Sequence, residues 1–325
     1  MSRILLTHSP DTLVNYYGPR ALAGLQALGN VILNSNDKPL EGESLIRAAA
    51  DCDLVVSYRQ SPAPAALFER LPKLVAFLRC AIDIRNVDVA AASKAGVLVT
   101  QASAGFVTSV SELVFGLMID ASRNITSAAR AFHAGKIPPA AMGRELKGST
   151  LGVIGYGAIG REVVRLGEAF GMKVLVCDPY ASGVRAVSLE NLLAASDYVV
   201  PLAVATAETE NLIGERQFAS MKAGAIFINA SRGNLVDEAA LVRALDSGRL
   251  GGCALDVGRA PDQMPTPAIA ARADVIATPH TAGLTLPAIE HQSMETVAQA
   301  AEILKGHAPK GAVNAGNWTR KALLK

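Results

Sequence analysis

The sequence predicts an α/β protein with two parallel β-sheet domains, and three features of the chain support this fold class. Short apolar runs alternate with helical stretches over most of the 325 residues, as expected when parallel strands are covered on both faces. The alternation is interrupted near residue 100 by a long amphipathic pattern and a segment rich in glycine and proline. A second alternating array follows, so the chain is expected to form two domains of ordinary size.

The first array contains five predicted strands. Each is a short apolar run, and the runs are 3–7, 31–34, 53–57, 74–78 and 97–100. Helices are predicted between them at 19–28 and 65–70. From Ser109 to Ile125 the apolar residues recur at spacings of three and four, which indicates a long amphipathic helix. Because Ser109 and Glu112 have the spacing of a capping box, this helix is predicted to begin at Ser109.

The second array follows residues 132–150, where glycine and proline are as frequent as in an arm or linker. Its predicted strands are 150–154, 173–177, 198–202, 225–229, 252–256 and 275–278, the number found in a full dinucleotide-binding fold. A last helix, predicted at 287–305, can pack back on the first array. We therefore expect a first domain of residues 1–100 and 286–325 and a second domain of residues 101–285.

The composition excludes several classes of protein. Hydrophobic residues make up 50% of the chain and charged residues 18%, with a mean hydropathy of +0.27, which is too apolar for a disordered chain. The net charge of +2 gives no basic surplus, so no nucleic-acid partner is predicted. No apolar run approaches the roughly 18 residues of a membrane span, and the first residues do not resemble a signal peptide. A cytoplasmic protein without a membrane partner is expected.

The cysteines give no sign of a disulfide framework or of a metal site. All four are far apart and form no CxxC or Cys/His cluster: Cys52, Cys80, Cys177 and Cys253. Cys80 and Cys177 lie in apolar runs, where a thiol usually packs as a small hydrophobic side chain. No metal cofactor is predicted.

A glycine fingerprint opens the second array. Gly155, Gly157 and Gly160 have the GxGxxG spacing directly after a predicted strand and before a helical run. The first glycine permits a tight turn, the second lets the backbone approach a pyrophosphate, and the third lets the helix pack closely on the strand. The predicted dinucleotide-binding residues of this loop are Gly155, Tyr156, Gly157, Ala158, Ile159 and Gly160.

An acidic residue at the end of the next strand indicates which dinucleotide binds. Asp178 lies 18 residues after Gly160, where a carboxylate can accept hydrogen bonds from the adenosine ribose hydroxyls. A 2′-phosphate about 4 Å from it would be repelled by roughly 1 to 4 kcal/mol. NAD is therefore favoured over NADP, although Arg185 would weaken this preference if it folded back towards the site.

Five motifs give the chain a resemblance to the D-isomer-specific 2-hydroxyacid dehydrogenases, the family of phosphoglycerate, glycerate/hydroxypyruvate and formate dehydrogenases. They are GRELKGSTLGVIGYGAIG (Gly143–Gly160), AFGMKVLVCDP (Ala169–Pro179), INASRGNLVDEAAL (Ile228–Leu241), GGCALDV (Gly251–Val257) and VIATPHTAGLT (Val275–Thr285). The resemblance implies two Rossmann-like domains with the active site in the cleft between them. It also implies the NAD-dependent interconversion of a 2-hydroxy acid and its 2-keto acid.

The resemblance assigns catalytic and cofactor-binding residues. His280 matches the family's general acid/base, since imidazole can supply and recover a proton near neutral pH. Arg232 matches the arginine that holds the substrate carboxylate and polarises the ketone oxygen. Asp256 matches the aspartate that meets the nicotinamide carboxamide, with a loop cap as the alternative. The cofactor contacts implied outside the glycine loop and Asp178 are Ala230, Ser231, Arg232, Asp256, His280 and Gly283.

The implied substrate contacts lie in the first domain. Arg59 follows the strand 53–57 as the family's substrate-loop arginine does. Ala81, Ile82 and Asp83 lie in the loop from Arg79 to Arg85, whose backbone NH groups receive the substrate carboxylate in the family. Either Arg59 or an arginine of this loop can instead be ordinary surface charge.

Two departures from the family pattern weaken the assignment of a substrate. The family's glutamate, which hydrogen-bonds the histidine, lies five residues beyond the ALDV aspartate, and this position is Pro261 here. Asp262 or Gln263 can replace it after a shift of the loop. Asp262 ranks first because a carboxylate stabilises an imidazolium, and the absence of any partner is an equal alternative.

The substrate loop departs as well. Its family pattern GVGVDN is replaced here by AIDIRN, residues 81–86, so both glycines are lost and Arg85 reverses the sign of an aspartate. The substrate is therefore not fixed by the resemblance.

The function predicted from the sequence is an NAD-dependent oxidoreductase acting on a small 2-hydroxy or 2-keto acid. His280, Arg232 and Asp262 are the predicted catalytic residues, and a homodimer formed through the cofactor domain is expected. The alternative is a non-catalytic, NAD-responsive binding protein resembling the corepressors of this scaffold.

Overall fold

The structure is a computed structural model that describes residues 1–324, and it divides into two compact units. The first unit contains Met1–Phe106 together with the chain from Leu284 onward, and the second contains Val107–Gly283. Each unit is built on one parallel β-sheet. The predicted α/β fold class with two parallel sheets is confirmed.

The sheet of the first unit has five strands, and all five were predicted. They are β1 (Arg3–Leu6), β2 (Asn30–Leu33), β3 (Leu54–Ser57), β4 (Ala76–Arg79) and β5 (Leu98–Gln101), arranged in the order β2-β1-β3-β4-β5. This is the order of flavodoxin-like sheets. Strands β3 and β4 are buried along their whole length, which is why their sequences are apolar throughout instead of alternating. The helices between the strands are α1 (Pro10–Tyr16), α2 (Pro19–Leu28), α3 (Gly42–Ala49), α4 (Ala65–Arg70) and α5 (Val89–Lys94).

The second unit begins with two helices, α6 (Val107–Arg123) and α7 (Ile125–His133). The predicted start of α6 at Ser109 is wrong, because Ser109 is buried within its first turn and does not cap it. The predicted helix to residue 125 is also divided, since Asn124 adopts a left-handed conformation with φ 55°. Asparagine tolerates this conformation better than most residues, and no periodicity of apolar residues reports it.

The sheet of the second unit has six strands: β6 (Thr150–Ile154), β7 (Lys173–Cys177), β8 (Tyr198–Pro201), β9 (Ala225–Asn229), β10 (Leu250–Leu255) and β11 (Val275–Ala277). Their order is β11-β10-β9-β8-β6-β7. The strand that would follow β7 in a Rossmann sheet is reduced to one parallel bridge between Val176 and Ala186. The strand order reverses between β6 and β8, and ligands of open α/β sheets bind beyond the carboxyl ends of the strands at such a point.

Five further helices connect and cover these strands: α8 (Ala158–Ala169), α9 (Leu189–Ala195), α10 (Glu215–Ser220), α11 (Glu238–Asp246) and α12 (Pro267–Ala270). Leu192, Phe218 and Leu241 from three of them pack in one core with Phe227 and Cys253 of the sheet. Cys253 is buried there and packs as a small hydrophobic side chain. Of the two cysteines for which the sequence predicted such packing, Cys80 is buried and Cys177 is half-buried.

The last helix, α13 (Leu286–Leu304), packs against α2 and β4 of the first unit. The packing on α2 is close, since a Cβ placed on Gly24 would lie 2.9 Å from Val297 Cγ1. Tyr17 and Thr296 join the two ends of the unit through a buried hydroxyl hydrogen bond of 2.9 Å. No helix within residues 1–324 is long and apolar enough to cross a membrane.

Candidate active site

The glycine loop between β6 and α8 has the local geometry of a dinucleotide-binding turn. Gly155 has φ 102°, and a Cβ on it would lie 2.6 Å from the Ala203 nitrogen. A Cβ on Gly160 would lie 2.2 Å from the Gly155 oxygen. A Cβ on Gly157 would instead meet nothing within 4 Å. The first and third glycines are therefore required by packing inside the protein, whereas the second leaves a surface that another molecule can approach.

The first turn of α8 adds backbone donors beside this open surface. The helix begins at Ala158, directly after Gly157, and the leading NH groups of a helix have no partner within the helix. Tyr156 and Ile159 are half-buried, and the Arg161 guanidinium lies 4.6 Å from the Tyr156 ring centroid. These residues fit a dinucleotide pyrophosphate, which needs close backbone approach and positive dipole at a helix start.

Asp178 connects the glycine loop to the end of β7. Its Oδ2 accepts a hydrogen bond of 2.6 Å from the Tyr156 NH, and its Oδ1 accepts one of 2.8 Å from the Tyr180 NH. The side chain is half-buried at the carboxyl edge of the sheet. Its position agrees with a ribose-binding role, and the hydrogen bonds to ribose hydroxyls stay a prediction.

Three predicted site residues follow three neighbouring strand ends. Leu255 at the end of β10 pairs with Asn229 of β9 and with Ala277 of β11. Arg232, Asp256 and His280 come one to three residues after these paired positions. The three residues therefore leave the sheet at the same edge, which is also the edge where the glycine loop leaves β6.

Asp256 holds the loop that follows β11. Its carboxylate is fully buried and accepts hydrogen bonds from the Thr278 hydroxyl (2.7 Å), the Thr281 NH (2.8 Å) and the Ala282 NH (2.9 Å). The loop-cap alternative describes this geometry. Gly283 follows directly and is half-buried. Contacts of Asp256 and Gly283 with the cofactor stay predictions.

His280 is fixed in the middle of this loop. Its backbone is left-handed, with φ 55°, and its NH donates to the Asp256 carbonyl at 2.9 Å. Its Nδ1 lies 2.5 Å from the main-chain carbonyl oxygen of Asp262. A carbonyl oxygen only accepts, so Nδ1 carries the proton and Nε2 of the neutral ring is the atom available for proton transfer.

This contact changes the role expected for Asp262. The sequence predicted that its carboxylate would replace the family's glutamate, but the atom that meets Nδ1 is its main-chain carbonyl oxygen. Asp262 and Gln263 both adopt left-handed conformations, with φ 55° and 57°, and this turn aims the carbonyl at His280. The interpretation of the Asp262 carboxylate as the group bonded to Nδ1 is therefore corrected.

Arg232 lies in a loop that is tied to the end of β9. The Asn229 amide donates to the Arg232 carbonyl (2.9 Å), and its oxygen accepts from the Ser231 NH (3.1 Å). The Arg232 guanidinium donates to the Ser231 carbonyl at 2.8 Å and is half-buried. Ala230 is buried beneath the loop. The geometry leaves the substrate and cofactor roles of Arg232, Ala230 and Ser231 as predictions.

The predicted substrate residues lie at the carboxyl edge of the first unit's sheet. The Arg59 guanidinium lies 5.4 Å from the Tyr16 ring centroid. Ala81 is buried, and Ile82 and Asp83 are half-buried. Arg85, which reverses the family's charge, is bonded to Asp83 with a shortest separation of 2.5 Å. The hydrogen bonds that the Arg85 guanidinium donates to the Asp83 carboxylate hold the pKa of Arg85 above its usual range.

Sequence reasoning missed two residues at these two edges. His8 is buried at the edge of the first sheet, and Arg259 is paired with Glu210 in the second unit at 2.6 Å. Neither belongs to a motif, and only tertiary contacts reveal them. Arg79, the first residue of the predicted substrate loop, is buried at the edge of the first sheet and is not surface charge. Residues 1–324 contain no group of three or more His, Cys, Asp or Glu side chains that could hold a metal ion.

The strand order, the glycine loop and Asp178 define the second unit as a dinucleotide-binding domain of the α/β class. Residues 115–282 match the model of the D-isomer specific 2-hydroxyacid dehydrogenase, NAD binding domain. The chain belongs to the D-isomer-specific 2-hydroxyacid dehydrogenase family, and NAD is the cofactor of this domain.

Three relatives illustrate the similarity. A D-3-phosphoglycerate dehydrogenase of Archaeoglobus fulgidus is 35% identical over 84% of this chain, and the match covers 53% of that protein. The chain therefore spans about half the length of that relative. A glyoxylate reductase of Korarchaeum cryptofilum is 34% identical over 81% of this chain and 83% of its own length. The crystal structure of D-lactate dehydrogenase from Aquifex aeolicus, complexed with NAD and lactic acid, has a TM-score of 0.79 and 26% identity, covering 96% of this chain and 99% of that one.

Proposed function

We propose that this chain is an NAD-dependent dehydrogenase that interconverts a small 2-hydroxy acid and its 2-keto acid. The observation that supports it most is the placement of His280 at the sheet edge with Nδ1 engaged by a carbonyl oxygen. This leaves Nε2 as the ring nitrogen that can donate or accept a proton. Arg232 and the open glycine loop lie on the same edge, so proton transfer, acid binding and cofactor binding can be combined there.

In this proposal, each group of residues has one task. The glycine loop and the first turn of α8 hold the pyrophosphate, and Asp178 accepts the ribose hydroxyls. NAD, when bound, supplies or accepts the hydride at substrate C2. His280 Nε2 gives a proton to the ketone oxygen during reduction and takes it back during oxidation. The Arg232 guanidinium binds the substrate carboxylate through two parallel hydrogen bonds and stabilises negative charge on the oxygen.

Arg59 and the backbone of Ala81, Ile82 and Asp83 stay proposed substrate contacts on the ground of the family resemblance alone. Similarity to a D-3-phosphoglycerate dehydrogenase and a glyoxylate reductase supports a small carboxylic acid as the substrate. The positive charge of Arg85 distinguishes this loop from its family pattern, and its ion pair with Asp83 neutralises that charge. We therefore favour a substrate without a second anionic group near Arg85.

We also propose a homodimer formed by the second unit. Four apolar side chains are exposed in α7 and the segment after it: Ile125 (51%), Phe132 (61%), Ile137 (89%) and Met142 (99%). Exposed apolar groups concentrated in this way mark interaction surfaces. Sedimentation should give a dimer mass for the purified protein, and the double variant Phe132→Glu, Ile137→Glu should give a monomer mass.

The free state of all four cysteines agrees with a cytoplasmic location, which stays part of the proposal.

The deciding experiment for the activity follows NADH absorbance while the purified protein is mixed with glyoxylate, pyruvate, hydroxypyruvate or phosphohydroxypyruvate. At least one acid should be reduced, and His280→Gln should abolish most of that turnover while NADH binding is kept. NADH binding without turnover of any acid would contradict the proposal and favour the NAD-responsive binding protein instead.

A further inference from the structure

The loop after β10, whose Asp262 carbonyl contacts His280, is attached to two neighbouring loops by one arginine, Arg259. The Arg259 guanidinium donates to Glu210 (2.6 Å) and to the Asn211 side-chain oxygen (2.5 Å), both in the loop after β8. It also donates to the main-chain carbonyls of Asn234 (3.2 Å) and Val236 (2.9 Å), in the loop after β9. Arg259 itself belongs to the loop after β10, so a single side chain connects three loops.

A hydrogen bond between Asn234 and Glu210 strengthens the connection between the loops after β8 and β9. The Asn234 amide donates to the other carboxylate oxygen of Glu210 at 3.0 Å. These hydrogen bonds from Arg259 and Asn234 hold the pKa of Glu210 below its usual range, so it stays ionised. Both groups are partly exposed, and an exposed ion pair contributes little to folding stability. The Arg259–Glu210 pair is therefore expected to act mainly by fixing the relative positions of the three loops, and little by stabilising the fold.

Two of these loops also touch backbone to backbone. A Cβ on Gly233, the residue after Arg232, would lie 2.0 Å from the Gly258 oxygen. A Cβ on Gly258 would lie 2.6 Å from the Pro265 Cα. A change in the position of the loop after β10 must therefore displace the loop that carries Arg232.

The loop after β10 is a closed turn with Arg259 in its first half. The Gly258 NH donates to the Gln263 carbonyl at 2.7 Å, and the Ala260 NH donates to the Met264 carbonyl at 3.0 Å. Between these bonds lie the left-handed Asp262 and Gln263. Each left-handed non-glycine residue costs of the order of 1 kcal/mol and persists only where its surroundings determine it. The Arg259 side chain fixes this turn to the loops after β8 and β9.

We propose that Arg259 and Glu210 are positioning residues that hold the Asp262 carbonyl against His280 Nδ1 and keep the Arg232 loop in place. In this chain the Asp262 carbonyl takes the place of the glutamate that the family has five residues beyond the ALDV aspartate, and Arg259 and Glu210 hold that carbonyl in position. The inference rests on the proposed dehydrogenase function only for its kinetic effect. The tautomer of His280 can be measured without any turnover.

The test compares Arg259→Met, which removes every hydrogen bond of the guanidinium at similar length, with Arg259→Lys and Glu210→Gln. In Arg259→Met the turnover rate for keto-acid reduction should fall by roughly 10-fold, because a displacement of about 1 Å can cost up to 100-fold, while the NADH Kd changes less than about 2-fold. Arg259→Lys should recover part of the loss, since it keeps a charged donor for Glu210. Glu210→Gln should cost less than Arg259→Met.

The matched control is Arg272→Met. Arg272 also bonds two carboxylates, Asp246 and Asp274, at 2.8 Å, but it precedes β11 and so lies at the opposite edge of the sheet. This variant should keep kcat within about 2-fold of the parent, because loss of an exposed ion pair changes stability by about 1 kcal/mol or less.

A second readout separates this inference from the function. Nitrogen NMR of the five histidines, with His280→Gln used for assignment, should show the His280 ring proton on Nδ1 in the parent. In Arg259→Met part of the ring should shift to the Nε2-protonated tautomer. An unchanged tautomer with unchanged kcat in Arg259→Met would overturn the inference. If no acid is reduced by the parent, the proposed function fails, and the tautomer alone then supports or overturns the positioning role.

Discussion

The carboxyl edges of the two sheets each carry a histidine and an arginine, and the two pairs lie in opposite environments. His8, just beyond β1, is 2% exposed, and its ring centroid lies 5.0 Å from that of Tyr17 and 5.2 Å from that of Tyr58. Within residues 1–324 neither of its ring nitrogens has a hydrogen-bond partner. His280, just beyond β11, is only half-buried and has Nδ1 bonded to a carbonyl oxygen.

The arginines differ in the same way. Arg79 ends β4 with no exposed surface, and its guanidinium donates to the Ser61 carbonyl at 3.0 Å, to the Tyr58 carbonyl and to the Asn86 side-chain oxygen. Arg232 is only half-buried. Burial lowers the pKa of Arg79 to about 10 and, with the charge of Arg79, lowers the pKa of His8 to about 3.

The comparison shows that a strand end alone does not make a histidine or an arginine functional. At the first sheet edge the pair is enclosed, and His8 stays neutral at neutral pH while Arg79 connects loops. At the second edge the pair is only half-buried, and Nδ1 of His280 is engaged by the Asp262 carbonyl, which leaves Nε2 for the proposed proton transfer. Accessibility and a fixed tautomer are therefore the properties that distinguish a candidate acid/base from a buried histidine.

The sharpest test of this contrast is to remove each histidine in turn. His280→Gln should lower kcat/KM for keto-acid reduction by about 1,000-fold, within the range of general acid catalysis, with NADH affinity nearly unchanged. His8→Phe keeps an aromatic ring of similar size and should change kcat/KM by less than about 3-fold. Steady-state kinetics at neutral pH decide the matter, and a large loss from His8→Phe would remove the distinction between the two edges.

The second test exchanges each arginine for lysine. Arg232→Lys should lower kcat/KM by about 100-fold, because lysine keeps the charge but loses the bidentate geometry. Arg79→Lys should act on stability, lowering the free energy of unfolding by about 2 kcal/mol, as expected when hydrogen bonds from a buried charged group are lost. Urea unfolding and kinetics are measured on both variants. Equal effects of the two substitutions on kcat/KM, with no change in stability, would contradict the assignment of substrate binding to Arg232 and of a structural role to Arg79.

The sequence predicted much of the fold and only part of the site, for physical reasons that these residues illustrate. Strands such as β6 and β9 are apolar runs whose burial is evident from local composition, and the glycines of the loop after β6 report close packing directly. The bond from Asp262 to His280 depends on the left-handed conformation of Asp262 and on the contacts of Arg259. Those are tertiary properties, which neither periodicity nor motif spacing contains.

The third test concerns the turn that engages Nδ1. Asp262→Asn keeps a residue that tolerates the left-handed region and also keeps the main-chain carbonyl, so kcat should stay within about 3-fold of the parent. Asp262→Val places a β-branched residue at φ 55°, where strain of roughly 1 to 3 kcal/mol should displace the carbonyl. About 1.4 kcal/mol of strain is enough to shift the equilibrium between the engaged and the displaced carbonyl tenfold. The kcat of Asp262→Val should therefore fall by about 10-fold or more. A greater loss in Asp262→Asn than in Asp262→Val would show that the carboxylate, and not the carbonyl, sustains His280.

The last test uses the pH dependence of stability at the first edge. The pKa of His8 is about 3 in the folded protein and about 6.5 for an unfolded histidine. Between these values the unfolded chain binds one more proton than the folded one, so stability decreases as the pH falls below about 6.5, by at most about 1.4 kcal/mol per pH unit. This loss is complete below about pH 3. Urea unfolding at pH 6 and pH 5 should therefore show the parent losing about 1 kcal/mol more than His8→Phe, in which every other titrating group is unchanged. Equal losses in both proteins would mean that the pKa of His8 is the same in the folded and the unfolded chain, and burial would then not keep this histidine neutral.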